Sequence, residues 1–174
     1  YVDIVCYPDA GIIDAFYLDR IKEEKQVLPV GAFRRYRIDL EAGHMDYETL
    51  GDEGLELPRY DEDAYHMDGQ YRCVYGVGVN RQQPQSFYNQ LVKLDLRDRT
   101  SDTWYEEGAY PGEAVFIGKP GRKNEDEGVL LSVVLNDQEE TSFLLVLDAP
   151  TMKEIGRAAV PHAILFGYHG AYLT

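Results

Sequence analysis

The chain has 174 residues, a length typical of one domain, and its 17 Lys and Arg against 31 Asp and Glu give a net charge of −14. We expect no binding to nucleic acid, because neutralising phosphates requires clustered cations. A hydrophobic share of 44% predicts a folded chain with a sizeable core. The longest apolar runs fall far short of the ~20 residues of a membrane-spanning helix, so an integral membrane protein is not expected.

The first two predicted elements are a strand over residues 2–6 and a short helix or helical turn over residues 10–25. In the second of these, apolar residues that include Ile12, Phe16 and Ile21 recur at near-helical spacing, with charged residues between them. The chain begins at Tyr1, and no basic stretch followed by an apolar one is present. We therefore expect a fragment without a signal peptide.

The rest of the chain is dominated by short runs rich in β-branched and aromatic residues, separated by turn-forming groups. Further strands are predicted over residues 33–40, 71–79, 91–96, 114–117, 128–135, 143–147 and 154–160. Hairpins are expected between 71–79 and 91–96 and between 128–135 and 143–147. The fold class is therefore predicted as all-β, and both a sandwich and propeller blades use such strands.

Two acidic stretches are predicted to be solvent-facing connections. Residues 61–69 superficially suggest a calcium loop, but they lack the alternating oxygen donors and the terminal glutamate of an EF-hand. A solvated acidic loop is expected there. Residues 124–127 are predicted to form an acidic turn before the strand over 128–135.

The residue types that could bind a metal show no local spacing typical of a site. Cys6 and Cys73 are too few for a disulfide framework or a zinc site and are expected to be ordinary buried thiols. No two histidines are separated as in a helical zinc motif. His44 and His66 have polar neighbours and are expected to be surface or hydrogen-bonded histidines and not metal ligands.

His169 has a different setting from the other histidines. Gly167 and Gly170 flank the Tyr168-His169 pair, and aromatic residues surround it in the sequence. Glycines permit close backbone approach and aromatic residues favour a water-poor neighbourhood, so this imidazole is a candidate metal ligand. A histidine in a core strand is the alternative.

Five motifs in a fixed order indicate a known family. They are Glu56 to Arg59, Tyr71 to Gly76, Tyr110 to Ile117, Glu125 to Val134 and Pro161 to Gly170. In this order and at these separations they resemble the carotenoid cleavage oxygenases, the family that includes the retinal-pigment-epithelium isomerase. The resemblance runs along the whole chain, residues 1–174, and corresponds to the C-terminal third of a family member.

The resemblance implies a fold and a cofactor. The family fold is a seven-bladed β-propeller, of which this chain would supply about three blades. The family holds a non-haem Fe(II) with four histidines from four blades, and glutamates orient those histidines. It uses O2 to cleave a conjugated carbon–carbon double bond into two carbonyl products.

Carried over by motif, the last of the four iron ligands corresponds to His169, and Glu56 and Glu113 match glutamates that orient ligands. Neutral imidazole suits Fe(II), and a carboxylate that accepts the distal ring N–H fixes the tautomer. The alternative for either glutamate is a buried carboxylate paired with an arginine. His162 matches a Pro-His pair that is not a ligand in the family, and the other three ligands have no counterpart here.

Two positions depart from the family pattern and bear on substrate choice. Leu57 replaces an aromatic residue and Tyr168 replaces a more common phenylalanine. The whole protein is expected to be an Fe(II)-dependent dioxygenase acting on a carotenoid or apocarotenoid, with the fragment alone inactive. A stilbene-cleaving dioxygenase and a non-catalytic propeller that binds a partner are the alternatives.

The expected partners are O2, an apolar polyene and the remainder of the protein's own chain. A cytoplasmic location is the default expectation. If the protein associates with membranes, its docking patch should be apolar and lie outside this chain, because a charge of −14 would be repelled by anionic headgroups.

Overall fold

A computed structural model describes residues 1–23, 26–68 and 70–173, with the side chains of residues 66–68 excepted. The elements in chain order are β1 (Val2–Cys6), α1 (Gly11–Ala15), α2 (Leu18–Ile21), β2 (Ala32–Asp39), β3 (His44–Thr49), β4 (Glu56–Arg59), α3 (Glu62–Asp68), β5 (Cys73–Gly78), β6 (Gln90–Asp95), β7 (Thr100–Tyr105), β8 (Ala109–Pro111), β9 (Val115–Gly118), β10 (Gly128–Asn136), β11 (Thr141–Asp148) and β12 (Lys153–Val160). Each predicted strand overlaps an observed one, so the all-β prediction is confirmed.

The strands form three antiparallel sheets that follow one another along the chain. The first sheet has the order β1-β2-β3, and the second has the order β4-β5-β6-β7. In the third sheet β8 and β9 both pair with β10, and β11 and β12 follow. Both predicted hairpins are present, as the pairs β5-β6 and β10-β11. Each sheet therefore forms from one continuous stretch of sequence.

The second sheet lies between the other two. All residues of β5 and β6 are buried, and their side chains alternate between two apolar clusters. Val74 and Val92 belong to a cluster with Phe33 of the first sheet, whereas Val77 joins Leu130 of the third sheet. This alternation is the two-residue period of a strand with both faces covered.

A turn of acidic residues joins the third sheet to the second. Residues 124–127 form the predicted turn, and the carboxylate of Glu125 accepts backbone N–H bonds from Arg72 and Cys73 at 2.8–2.9 Å. The neighbouring Asp126 receives a 2.8 Å bond from Nζ of Lys93, a side chain that is 5% exposed. The turn is therefore an inter-sheet contact and not only a solvated connection.

Two sequence predictions need correction. The helical segment expected over residues 10–25 is two short helices, because Tyr17 between them has the extended dihedrals φ −65° and ψ 137°. The prediction of an acidic loop over residues 61–69 is wrong, because residues 62–68 form the helix α3. Oδ1 of Asp61 accepts the N–H of Asp63 at 3.2 Å, as an N-cap does. Lys25 and Gly69, at the ends of these predictions, lie outside the described residues.

Within the described ranges, no helix is long and apolar enough to cross a membrane.

Candidate metal centre beside an apolar cavity

A bulge at the edge of the third sheet positions Glu113. Pro111 lies opposite Val134 and Val115 lies opposite Leu131, so this edge holds one more residue than β10 between the two pairs. Ser132 Oγ donates to the Gly112 carbonyl at 2.8 Å and stabilises the bulge. Bulges bend a strand and redirect a side chain, and they are common next to active sites.

Glu113 is a buried carboxylate with three hydrogen-bond partners. Its side chain is 4% exposed. Oε1 lies 3.1 Å from Nδ1 of His169, whereas Oε2 accepts the Gly170 N–H at 2.8 Å and Arg59 Nη1 at 3.3 Å. The sequence allows two interpretations of this glutamate, as a partner of a histidine or of an arginine. In the structure Glu113 contacts both.

Glu56 occupies a similar bulge at the edge of the second sheet. Glu56 pairs with Val77 and Arg59 with Tyr75, so β4 again carries one extra residue. Leu57 within the bulge has a φ of 49°, and its N–H donates to Oε2 of Glu56 at 3.2 Å. Glu56 is half-buried and forms no hydrogen bond with a histidine in the described part of the chain.

His169 lies on a segment that crosses back over the third sheet. After β12, residues 161–173 have no regular secondary structure. The Ile164 N–H donates to Ser142 Oγ at 2.8 Å, and the Phe166 ring stacks on Phe87 with centroids 3.8 Å apart. These two contacts bring the following His169 to the edge where Glu113 lies, and they explain how a residue outside the sheets reaches the site.

This chain alone covers little of His169, and the water-poor neighbourhood expected there stays a prediction for the whole protein. Within the described residues, the imidazole side chain is 75% exposed and Tyr168 is 71% exposed, and the Phe166 ring stacks on Phe87. A Cβ at Gly167 would meet no atom within 4 Å, and one at Gly170 would meet Val115 Cγ2 at an ordinary 3.6 Å. Within the described residues, neither glycine is required by close packing.

Two cavities meet at these residues. The larger has a volume of about 600 Å³ and is lined mostly by apolar side chains, among them Ile12, Phe16, Leu57, Phe87, Val133 and Leu165. A smaller one of about 270 Å³ is bordered by Arg59, Tyr60 and Glu62. Glu56, Glu113 and His169 line both. The charged groups therefore lie between an apolar space and a polar one.

Buried phenols lie behind Glu56. Burial raises the pKa of Tyr88 to about 12, so this phenol stays neutral near pH 7. Burial and the nearby Glu56 carboxylate also raise the pKa of Tyr7. Neither phenol is a base at neutral pH, which leaves the carboxylates and the imidazole as the groups at this site with proton-transfer or ligand chemistry.

The arrangement fits a metal that takes one imidazole from this chain. With Nδ1 facing a carboxylate, a neutral ring carries its lone pair on Nε2, which has no hydrogen-bond partner among the described residues. No group of three or more His, Cys, Asp or Glu residues within the described ranges could hold a metal alone. His169 would hold the ion, with Glu113 orienting its ring.

The other histidines lie apart from this site in the described structure. His44 is on β3 with its side chain 63% exposed, and its Nε2 is 2.9 Å from Oδ1 of Asp46. His162 is exposed in the crossing segment. The side chain of His66 is outside the described residues.

Arg59 is a site residue to which the sequence motif assigned no role. It lies directly after the Glu56-Leu57-Pro58 bulge and reaches both Glu113 and the Gly170 carbonyl, each at 3.3 Å. The only signal in the sequence is its place in the Glu-Leu-Pro-Arg motif. Phe87, which lines the apolar cavity, was also missed. The only signal in the sequence is that two aromatic residues, Phe87 and Tyr88, follow a turn.

Comparison with known proteins gives a match over the whole chain. A sequence model of the family described as "Retinal pigment epithelial membrane protein" matches residues 1–174. Carotenoid cleavage dioxygenase 8 homolog A, chloroplastic, of Oryza sativa subsp. japonica is 34% identical over 173 residues, which cover 96% of this chain and 31% of that protein. The mitochondrial carotenoid-cleaving dioxygenase of Mustela putorius furo is 43% identical over 129 residues, which cover 73% of this chain and 23% of that protein.

A solved structure shows the same fold. Cobalt-substituted Synechocystis apocarotenoid oxygenase is similar with a TM-score of 0.84 at 24% identity, over 98% of this chain and 36% of that one. The three sheets therefore match part of a propeller, as predicted. The chain spans about a third or less of the length of each of these proteins, at 31%, 23% and 36%.

Proposed function

The chain belongs to the carotenoid cleavage oxygenase family, and on that premise we propose that it is the C-terminal part of an Fe(II)-dependent dioxygenase. The proposed reaction cleaves a conjugated carbon–carbon double bond of a carotenoid or apocarotenoid with O2 and yields two carbonyl products. The substrate class follows from the relatives, which are named as carotenoid-cleaving dioxygenases.

The contact between Glu113 and His169 carries the proposal. A carboxylate that is 4% exposed faces Nδ1 of an imidazole at 3.1 Å, and Nε2 has no hydrogen-bond partner in the part of the chain that the structure describes. Such a carboxylate keeps the ring in one tautomer and raises the basicity of the other nitrogen. Glu56 is proposed to act in the same way on a histidine from the remainder of the protein.

The apolar cavity supports a polyene as substrate. Its walls offer hydrocarbon and aromatic contacts over a volume of about 600 Å³, within the range of small-molecule sites. The chemistry that Fe(II) supplies in such a site is activation of O2 beside the alkene. In this proposal, Glu113 orients the metal ligand His169. The apolar residues that line the cavity hold the substrate and keep water away from its apolar side.

The remainder of the protein is part of the proposal. One imidazole cannot form the multidentate geometry that makes an iron site stable, so the other three ligands are proposed to come from other blades of the same chain. Residues 1–174 alone should therefore be inactive. Reading the sequence before residue 1 tests this, and the absence of three further histidines that reach the axis would favour a non-catalytic binding propeller.

The activity is tested with the full-length protein, Fe(II) and O2. Separate incubations contain β-carotene, an apocarotenal or a stilbene, and aldehyde products are measured by chromatography and mass spectrometry. The proposal predicts aldehydes from a carotenoid or an apocarotenal. Cleavage of stilbene alone would assign the alternative substrate class, and no aldehyde from any of the three would contradict the function.

The cellular location stays a prediction. We propose the cytoplasm, with any membrane contact made by an apolar patch outside this chain. Flotation of the full-length protein with liposomes should then be insensitive to salt, because apolar contacts are not screened. Binding that disappears at high salt would contradict an apolar patch.

A further inference from the structure

Arg59 lies where three parts of the candidate centre meet. It ends β4 in the second sheet, and its Nη1 is 3.3 Å from Oε2 of Glu113 in the third sheet. The same Nη1 is 3.3 Å from the carbonyl oxygen of Gly170, the residue after His169. One side chain thus bonds both the carboxylate that contacts the imidazole and the backbone that carries it.

The two oxygens of Glu113 have different partners. Oε2 accepts from the Gly170 N–H at 2.8 Å and from Arg59, whereas Oε1 faces the ring of His169. Because both donors are on Oε2, they set the orientation of the carboxylate and leave Oε1 for the histidine. The guanidinium also provides the counter-charge that a buried carboxylate needs.

His169 has few other restraints. Its side chain is 75% exposed, and Glu113 is the ring's only hydrogen-bond partner among the described residues. Gly170 is bonded at both its N–H and its carbonyl oxygen by the Glu113 and Arg59 pair. Together with the Ile164 and Phe166 contacts upstream, these bonds locate the imidazole beside Glu113.

We propose that Arg59 is a positioning residue for the metal ligand. By holding Oε2 of Glu113 and the Gly170 carbonyl, it fixes the plane of the His169 ring and the direction of Nε2. This inference rests on the proposed function, in which His169 binds the metal.

A purely structural role is the competing explanation, and the chain offers a matched control. Arg122 also joins the second and third sheets, through an ion pair with Asp61, whose side chain is 6% exposed. Within the described residues, Arg122 has no hydrogen bond to Glu113 or His169. Loss of either arginine should lower stability, but only Arg59 should affect the metal.

The test uses the full-length protein, stripped of metal and titrated with Co(II), whose visible absorption reports the ligand geometry. Arg59→Gln is expected to weaken Co(II) binding about 10–100-fold, as loss of an outer partner does, and to change the spectrum. Arg59→Lys keeps the charge but loses the planar fork, so a smaller loss of affinity is expected. Arg122→Gln should lower the melting temperature and leave the affinity and the spectrum unchanged.

The outcomes separate this inference from the proposed function. Wild-type Co(II) affinity and spectrum in whichever Arg59 variant folds would overturn the positioning role. His169→Ala is measured alongside. If His169→Ala binds Co(II) as the wild type does, His169 is not a metal ligand and the proposed function loses the contact that carries it. Loss of binding in His169→Ala with normal Arg59 variants refutes the positioning role alone.

Discussion

Glu113 and His169 are 56 residues apart in sequence, yet Oε1 of the first lies 3.1 Å from Nδ1 of the second. The bulge in the third sheet provides the carboxylate and the crossing segment provides the imidazole. Because the pair is assembled from an edge strand and an irregular segment, it depends on both remaining in place.

Glu113→Gln should weaken iron binding in the full-length protein by about 10–100-fold, because the amide loses the charge that favours the Nδ1–H tautomer. Iron content after dialysis against a graded series of chelator concentrations measures the change. Glu154→Gln is the matched control, since its carboxylate is paired with Arg157 on β12. Equal iron affinity in the two variants would show that Glu113 does not act on the metal ligand.

Gly76→Ala should destabilise the protein and displace Glu56. A Cβ at Gly76 would lie 2.4 Å from the Glu56 carbonyl oxygen and 2.6 Å from Leu55 Cγ, so β4 has to move. The expected cost is about 1–3 kcal/mol, typical of overpacking, measured by denaturant unfolding. Gly156→Ala, where a Cβ meets nothing within 4 Å, should be near neutral. Equal stabilities would mean that β4 does not pack closely on β5.

Asp95→Asn should lower the melting temperature at pH 7, and the difference should shrink in acid. Burial alone would raise the pKa of Asp95, but the hydrogen bonds from Arg72 and from the Asp98 N–H outweigh it, so the pKa lies below 3.8. The stabilisation is complete above pH 3.8 and is lost as the pH falls through the lower folded pKa. Thermal unfolding between pH 7 and pH 2 measures this.

Asp98→Asn is the control for that series, because Asp98 bonds the same Arg72 but is 58% exposed. Its effect should be small at every pH, as is usual for exposed ion pairs. A constant difference between Asp95→Asn and the wild type down to pH 2 would contradict the depressed pKa.

Cys73 should resist alkylation in the folded protein. Burial raises the pKa of its thiol from 9.0 to about 12, so almost no thiolate forms at pH 8. The same shift makes stability fall as the pH rises from 9.0 toward about 12, since the unfolded thiol ionises first. Cys6 is less buried, so iodoacetamide followed by mass spectrometry should modify it first. Modification of both cysteines at one rate would contradict the burial.

Much of the fold was predictable because buried strands show their pattern in sequence. The runs that became β5, β10 and β11 are apolar and β-branched, and their hairpins are local. β3 was missed because its run is short and mostly polar, and its two apolar residues, Met45 and Tyr47, are exposed. β4 was missed because Pro58 and the bulge interrupt it. The helix α3 was missed because the acidic run was interpreted as a solvated loop, although the Asp61 N-cap and the acidic first turn are local helix signals.

The sequence proposed candidate residues for the site but not how they are arranged. The family resemblance identified His169, Glu56 and Glu113. The contacts of Arg59 join residues 54 and 111 positions apart, and no local pattern encodes them. The path of the segment that carries His169 also depends on a tertiary contact, the stacking of Phe166 on Phe87.

The central claim is that His169 is the iron ligand of this chain, and iron content of full-length variants tests it most directly. Purified wild type, His169→Ala, His44→Ala and His66→Ala are measured by atomic absorption, together with circular dichroism to verify folding. We predict that His169→Ala loses most of its iron and activity, while the other two variants keep wild-type iron. Full iron occupancy in a folded His169→Ala protein would contradict the account.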